Sequence, residues 1–273
     1  MTVSSPKSPG KTPAELLAEA RTAYENDSRS GKINVLLLGR YGSGKTYLAR
    51  TMPGPVLIDC FDPGGTIGLQ PQIESGTIIA DTRWSQDDPL RPTVFTAWLR
   101  AMNERIQAGL FDTLGTYVLD STTFLDATIM NEVMRKAGLP GSEPRGKDDY
   151  IPAKAALTKV LRQIANLPCH TVVTGHLKDV KDREGNLLRT QFLVIGDGAE
   201  RLPALFDEVW IMAPKRVPKS AQNPDGLEYR IQTQPDGMLQ ARSRLAGLGK
   251  LSMYEPADFT AVLQKSGRQL KNI

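Results

Sequence analysis

Cysteine is scarce in this chain, and the scarcity excludes two kinds of protein. Cys60 and Cys169 are the only two among 273 residues, too few for a disulfide framework, and no Cys-x-x-Cys or His-rich spacing offers a metal site. Both read as buried apolar residues. Long apolar runs are also missing. No stretch reaches the roughly eighteen residues a membrane span needs, and the opening MTVSSPKSPGK lacks the apolar segment of a signal peptide. The expectation is a cytoplasmic protein without a membrane partner. Charge of either sign is not in large excess: a net +4 permits a polyanionic partner without demanding one.

What is present is an ordinary globular composition, 40% hydrophobic and 23% charged, in a chain long enough to bury a sizeable core. Within it, residues 36–49 read LLLGRYGSGKTYLA. Gly39, Gly44, Lys45 and Thr46 fit the phosphate-loop template of Gly, any four residues, Gly, Lys and Ser or Thr. Upstream, INVLLL at 33–38 has the continuous apolar character of a strand buried on both faces. Downstream, residues 45–52 are predicted to open a helix that Pro53 and Gly54 stop. The backbone amides of Gly42, Ser43, Gly44 and Lys45 would converge on phosphate oxygens, with Lys45 on the β- and γ-phosphates and the Thr46 hydroxyl on Mg²⁺. The expected ligand is a nucleoside triphosphate, ATP, with Mg²⁺.

Residues 1–12 are rich in Ser, Pro and Lys and are expected to be disordered. Helical spacing of Leu16, Leu17, Ala20 and Tyr24 follows at 13–26, so 1–30 reads as a tail with a short helix. A domain is expected over 31–245 and a C-terminal tail over 246–273. Strands are predicted at 56–60, 77–80, 117–120 and 171–174, with helices at 94–108, 124–137 and 153–166. This alternation predicts an α/β fold with a mainly parallel central sheet. Beyond 175, turn signals at 182–186, 225–226 and 235–237 predict hairpins that extend the sheet with antiparallel strands. Strand-like runs at 229–233 and 238–243 flank the last of these. Trp98 and Trp210 sit among apolar neighbours and read as core, whereas Trp84 lies in a polar stretch and reads as exposed.

A phosphate-binding loop of this kind needs a second acidic residue at the end of a neighbouring buried strand, to hold the metal's water shell. Asp120, closing YVLD, supplies it; Asp207 precedes its apolar run and is the weaker candidate. The residue after Asp120 is Ser121, not a glutamate, so a general base must come from elsewhere. Asp62, in LIDCFDPGGT, is the candidate, with Asp59 in reserve; Asp62 could equally cap the turn before Pro63. His176, beyond the strand at 171–175, could donate a hydrogen bond to the γ-phosphate or could be a surface loop histidine.

The series GRYGSGKT, LIDCFDPGGT, YVLDST, VVTGHLKD, LPALFDEVW and LQARSR resembles the phage-borne RecA-like P-loop ATPases, a group that includes single-strand annealing and recombination proteins. The resemblance implies a RecA-like core with ATP, Mg²⁺, single-stranded DNA and a homo-oligomer, with a single-strand-binding protein as a further partner. One departure is an aspartate, Asp62, displaced by about one position from the glutamate of RecA proteins. The loops that would face DNA carry Arg135, Lys136, Arg145 and Lys147 in the first, and Lys178, Lys181, Arg183 and Arg189 in the second. Their only adjoining aromatics are Tyr150 and Phe192. Arg242, Arg244 and Lys250 could reach a neighbouring subunit's ATP or simply guard a strand edge. Two other functions fit the same loop: a nucleotide or small-molecule kinase with an arginine-rich lid, and a slow clamp or loader that docks through its N-terminal helix.

Overall fold

The computed structural model describes residues 11–27, 31–221, 223–248 and 250–267. The disorder expected over 1–12 therefore falls almost wholly outside the described residues, as does the end of the expected C-terminal tail. The chain divides into two units, 1–30 and 31–273. The first contains one helix, α1 (Pro13–Glu25). Thr12 caps it reciprocally: its hydroxyl accepts from the Glu15 amide, and the Glu15 carboxylate accepts from the Thr12 amide at 2.7 Å.

The second unit begins with β1 (Asn34–Gly39), β2 (Val56–Cys60), α2 (Gln70–Glu74), β3 (Ile78–Asp81), α3 (Val94–Gln107) and β4 (Thr116–Asp120). Two long helices follow, α4 (Thr122–Lys136) and α5 (Lys147–Ala165), then β5 (His170–Lys181), β6 (Leu187–Phe192), α6 (Gly198–Arg201) and β7 (Glu208–Met212). Short elements complete it: β8 (Lys215–Arg216), β9 (Leu227–Glu228), β10 (Arg230–Gln232), β11 (Arg242–Ser243), β12 (Tyr254–Pro256) and α7 (Phe259–Lys265). The main sheet runs β12-β10-β7-β1-β5-β4-β2-β3. Strands β7 to β3 in that order are parallel, and β10 and β12 add antiparallel partners. The mixed α/β fold with a mainly parallel sheet is the one expected.

Alternation along β1 explains its unbroken apolar run. Leu36 and Leu38 belong to the core beneath α3, α4 and α5, while Val35 and Leu37 belong to a second core that includes Leu48, Trp210 and Phe259. Every residue of β1 is buried, because successive side chains serve opposite faces that are both covered. Each such leucine contributes about 1.5–3 kcal/mol.

Four expectations need correction. The helix predicted over 45–52 is a 3₁₀ segment, Thr46–Thr51. Pro53 follows too soon for a longer helix, and short runs close with the tighter i to i+3 bonds. The runs at 229–233 and 238–243 do not pair with each other. Instead β10 and β11 both bond the same edge of β7, Gln232 opposite Ile211 and Arg242 opposite Val209, and 233–241 leaves that edge as an excursion. Part of the expected C-terminal tail is core: Phe259, Val262 and Leu263 are at most 1% exposed, and the Phe259 amide donates to Thr51 Oγ1 at 2.9 Å. Finally, Trp84 is buried, because its indole N–H finds Asp59 at 3.1 Å.

Candidate functional site

The loop after β1 has the backbone that a phosphate cradle requires. Gly42 and Gly44 have φ of +70° and +90°, a region L side chains avoid. A Cβ at Gly44 would also fall 2.9 Å from Cδ1 of Tyr229, whose ring lies on the loop. The Ser43 amide is engaged by the Arg40 carbonyl at 3.2 Å, while its Oγ is buried with no partner. Such an orphaned hydroxyl marks a place built for an incoming acceptor or donor. Lys45, buried in the described structure, donates from Nζ to the carbonyls of Gly39 and Arg40 at 3.2 and 3.1 Å. Burial lowers its pKa, and the charges of Asp120 and Asp62 oppose that shift. The 3₁₀ segment behind the loop is short, so a helix dipole adds little here and the cradle relies on Lys45 and the loop itself.

Asp120, at the end of β4, accepts from the Thr46 hydroxyl at 2.6 Å and from the Thr174 hydroxyl at 2.5 Å. Its carbonyl takes the amides of Phe61 and Asp62, which ties the end of β2 to the end of β4. Asp62 thereby comes beside Asp120 and accepts from Ser121 Oγ at 2.6 Å. Burial pushes the Asp62 carboxyl above the usual carboxylate range, against the pull of the Ser121 hydrogen bond and Lys45. Asp120 is raised as well, by burial first and by Asp62 second. Two carboxylates crowded into one dry corner favour a cation between or beside them. Thr46 and Asp120 are hard oxygen donors of the kind that suits Mg²⁺, which binds through one or two carboxylates and substrate phosphates, and Asp62 stands beside them. Among the described residues no group of three or more His, Cys, Asp or Glu could hold a metal by itself.

Asp59 is not a base in reserve. Its carboxylate is fully buried and saturated by Trp84, Trp98, Tyr117 and Arg105, the last at 2.8 and 3.0 Å. Asp207 lies just before β7, at the end remote from the loop, holding the Asn34 amide and Arg244. Arg242 donates to the carbonyls of Pro203 and Phe206, so both arginines serve their own chain.

His176 is inside β5, not in a surface loop. It pairs in register with Gly39 and is 2% exposed. Its ring stacks on Tyr41 with centroids 4.1 Å apart, and Nδ1 is 3.2 Å from Thr123 Oγ1. Burial, aided by Lys45, lowers its pKa to about 4, so the ring is neutral at neutral pH. Thr174, two residues earlier in β5, is the strand group that touches Asp120. Its signal in the sequence was a hydroxyl closing the apolar run TVVT; Ser121 and Tyr229 carried none.

The two basic loops fare differently. Arg135 and Lys136 end α4 and pair with Glu132 at 2.7 and 3.3 Å, Arg145 pairs with Asp149 at 2.9 Å, and Lys147 opens α5. The first loop's charge is thus largely met within the chain. The second loop is the β5–β6 hairpin. Arg189 lies 3.7 Å from Glu200, whereas Lys178, Lys181 and Arg183 make no ion pair among the described residues. The hairpin is also fastened to the phosphate loop, by Arg40 on Asp179 at 2.6 Å.

No helix among the described residues is long and apolar enough to cross a membrane. No curated protein matches the chain. Among solved structures, one described as a prototypical ATPase from the type III secretion system of pathogenic bacteria is similar, with a TM-score of 0.44 and 13% identity. That match covers 68% of this chain and 55% of the other, so the chain spans about half the length of that relative. Residues 31–245 match the family described as an AAA domain, and with that match over most of its length the chain belongs to the AAA domain family.

Proposed function

We propose that the protein is a Mg²⁺-dependent ATPase of RecA-like type that engages single-stranded DNA through the β5–β6 hairpin, in annealing, recombination or replication of a phage genome. Lys45, the loop amides and Ser43 would hold the triphosphate, and Thr46 with Asp120 would hold the metal. The metal supplies charge neutralisation on the phosphates when bound. Asp62 takes the proton of the attacking water; its raised pKa makes it a better acceptor than an ordinary carboxylate. Ser121 orients it, and neutral His176 offers a hydrogen bond without adding charge.

The observation that carries the DNA reading is the Arg40–Asp179 pair together with the Tyr41–His176 stack. Both join the phosphate loop to the strand that becomes the basic hairpin. A ligand that re-positions the loop has differential contacts with the hairpin, the requirement for coupling nucleotide state to DNA affinity. A kinase would need arginines free to close as a lid, and Arg135 and Arg145 are committed to Glu132 and Asp149; this favours the ATPase. Copies of the chain would assemble on one DNA strand, with a single-strand-binding protein as competitor or loader.

The test is ATP hydrolysis by the full chain with and without single-stranded DNA at two salt concentrations, beside Lys45→Ala. Stimulation that falls with salt and vanishes in the variant supports the reading. Hydrolysis that is indifferent to DNA, with no DNA bound in ATP, overturns the DNA part and leaves the ATPase standing.

A further inference from the structure

Helix α5 uses two faces. One is core: Ala153, Leu157, Val160, Leu161 and Ile164 are at most 3% exposed. The other, at positions 151, 154, 155, 158, 159 and 162, follows the same helical spacing but forms one wall of a groove of about 500 Å³. The segment 197–205 forms the opposite wall. None of the lining residues belongs to the phosphate loop or to the β5–β6 hairpin, so this surface is separate from the site described above.

The groove has an apolar floor and a cationic rim. Ile151, Ala155, Leu202 and Leu205 supply the floor, and Ile151 is 58% exposed. Lys154, Lys159, Arg162 and Arg201 supply four cations against a single carboxylate, Asp197. Lys154 and Arg201 share that carboxylate at 2.8 and 3.4 Å. Lys159 and Arg162 make no ion pair among the described residues. The exposed isoleucine lies at one end of this wall, and Lys159 and Arg162, with no carboxylate of their own, lie about two and three turns further along the same helix face.

From this charge and shape we infer that the groove docks an acidic peptide segment of a protein partner, with apolar side chains on one face entering between α5 and 197–205 and carboxylates meeting Lys159 and Arg162. The volume lies within the ~300–1,000 Å³ of pockets that enclose most of a small ligand. Apolar residues spaced at i, i+3, i+4 and i+7 on the incoming segment would match the helical wall. A nucleic acid is the poorer fit: its phosphates could meet the cationic rim, but no aromatic ring lines the groove to stack a base against the apolar floor. A flat lipid surface is poorer still, because the apolar residues sit in a concavity.

The probe is a fluorescent 14-residue peptide of glutamates with leucines at i, i+3, i+4 and i+7, titrated into the full chain by anisotropy. The comparisons are Lys159→Glu/Arg162→Glu, Ile151→Ser, a peptide with lysine in place of glutamate, oligo-dT and anionic vesicles. The acidic peptide should bind, the double charge reversal should weaken it about tenfold or more, and Ile151→Ser should weaken it several-fold. Hydrogen exchange of the wild-type protein should slow at 151–162 and 197–205 when the peptide is added. All three positions are exposed, and ATP hydrolysis by the variants should match the wild type. Equal binding by the variants, equal binding of the lysine peptide, or no slowing of exchange in the groove overturns the proposal. Displacement of the peptide by oligo-dT or by anionic vesicles, with the double variant losing affinity for them, overturns it in favour of a nucleic-acid or lipid surface.

Discussion

If Asp62 is the general base, as proposed, its environment sets a measurable pH dependence. Burial raises its pKa, so its basic form is present only above that raised value and is lost as pH falls through it. The acid limb of the hydrolysis rate should therefore lie above the ordinary carboxylate range of about 4, and Asp62→Asn should abolish both the limb and most of the rate. His176, neutral above a pH of about 4, should add no limb near 6.5; a pH profile of rate for wild type and His176→Gln reads both. The two left-handed glycines separate strain from contact. Gly42→Ala meets nothing within 4 Å and should cost only the left-handed strain, ~1–2 kcal/mol. Gly44→Ala adds a collision with Tyr229, and should lose more stability in urea and most ATP binding by calorimetry. Tyr229→Ala in the same chain should return part of both. Lys45 and Thr46 were legible in the sequence because the loop motif is local, and Asp120 because it closes a buried strand run. The roles of Thr174, Ser121 and Tyr229 were not, since they depend on which strands lie side by side.

Among the elements, β2, β3, α3 and β4 are joined by one buried charge cluster. Arg105 of α3 bridges Asp59 of β2 and Asp81 of β3, at 2.8 and 2.5 Å, and Tyr117 of β4 donates to Asp59 at 2.7 Å. Asp59→Ala leaves Arg105, 15% exposed in its side chain, to Asp81 alone, and leaves two indole N–H groups and the Tyr117 hydroxyl without their acceptor. A loss of ~3–5 kcal/mol is expected in chemical unfolding, with ATP binding retained if the variant is folded. Sequence periodicity located the strands and long helices because each buries a face against the sheet. It misjudged the Thr46–Thr51 segment because Pro53 cuts it short. It misjudged the β10–β11 edge and α7 because these short elements pair with β7 and the 45–52 segment, neither of them their neighbour in sequence, which local pattern does not specify.

At the scale of the molecule, the hairpin carries Lys178, Lys181 and Arg183 and is ion-paired to the phosphate loop. Reversing Lys181 and Arg183 together to glutamate should weaken single-stranded DNA binding and flatten its salt dependence by about 0.7 per lost phosphate contact in the log–log slope, while DNA-free hydrolysis stays near wild type. Equilibrium titrations across a salt series give that slope. The placement of β1 between β5 and β7 bears on how such a molecule moves. Because β1 is hydrogen-bonded on both sides and covered on both faces, its amides should open only with global unfolding, whereas the outermost strands β3 and β12 fray. The phosphate loop thus has one immovable root and one adjustable neighbour. On the proposed reading, work done by the nucleotide should then be delivered as displacement of the hairpin tip against a stationary sheet.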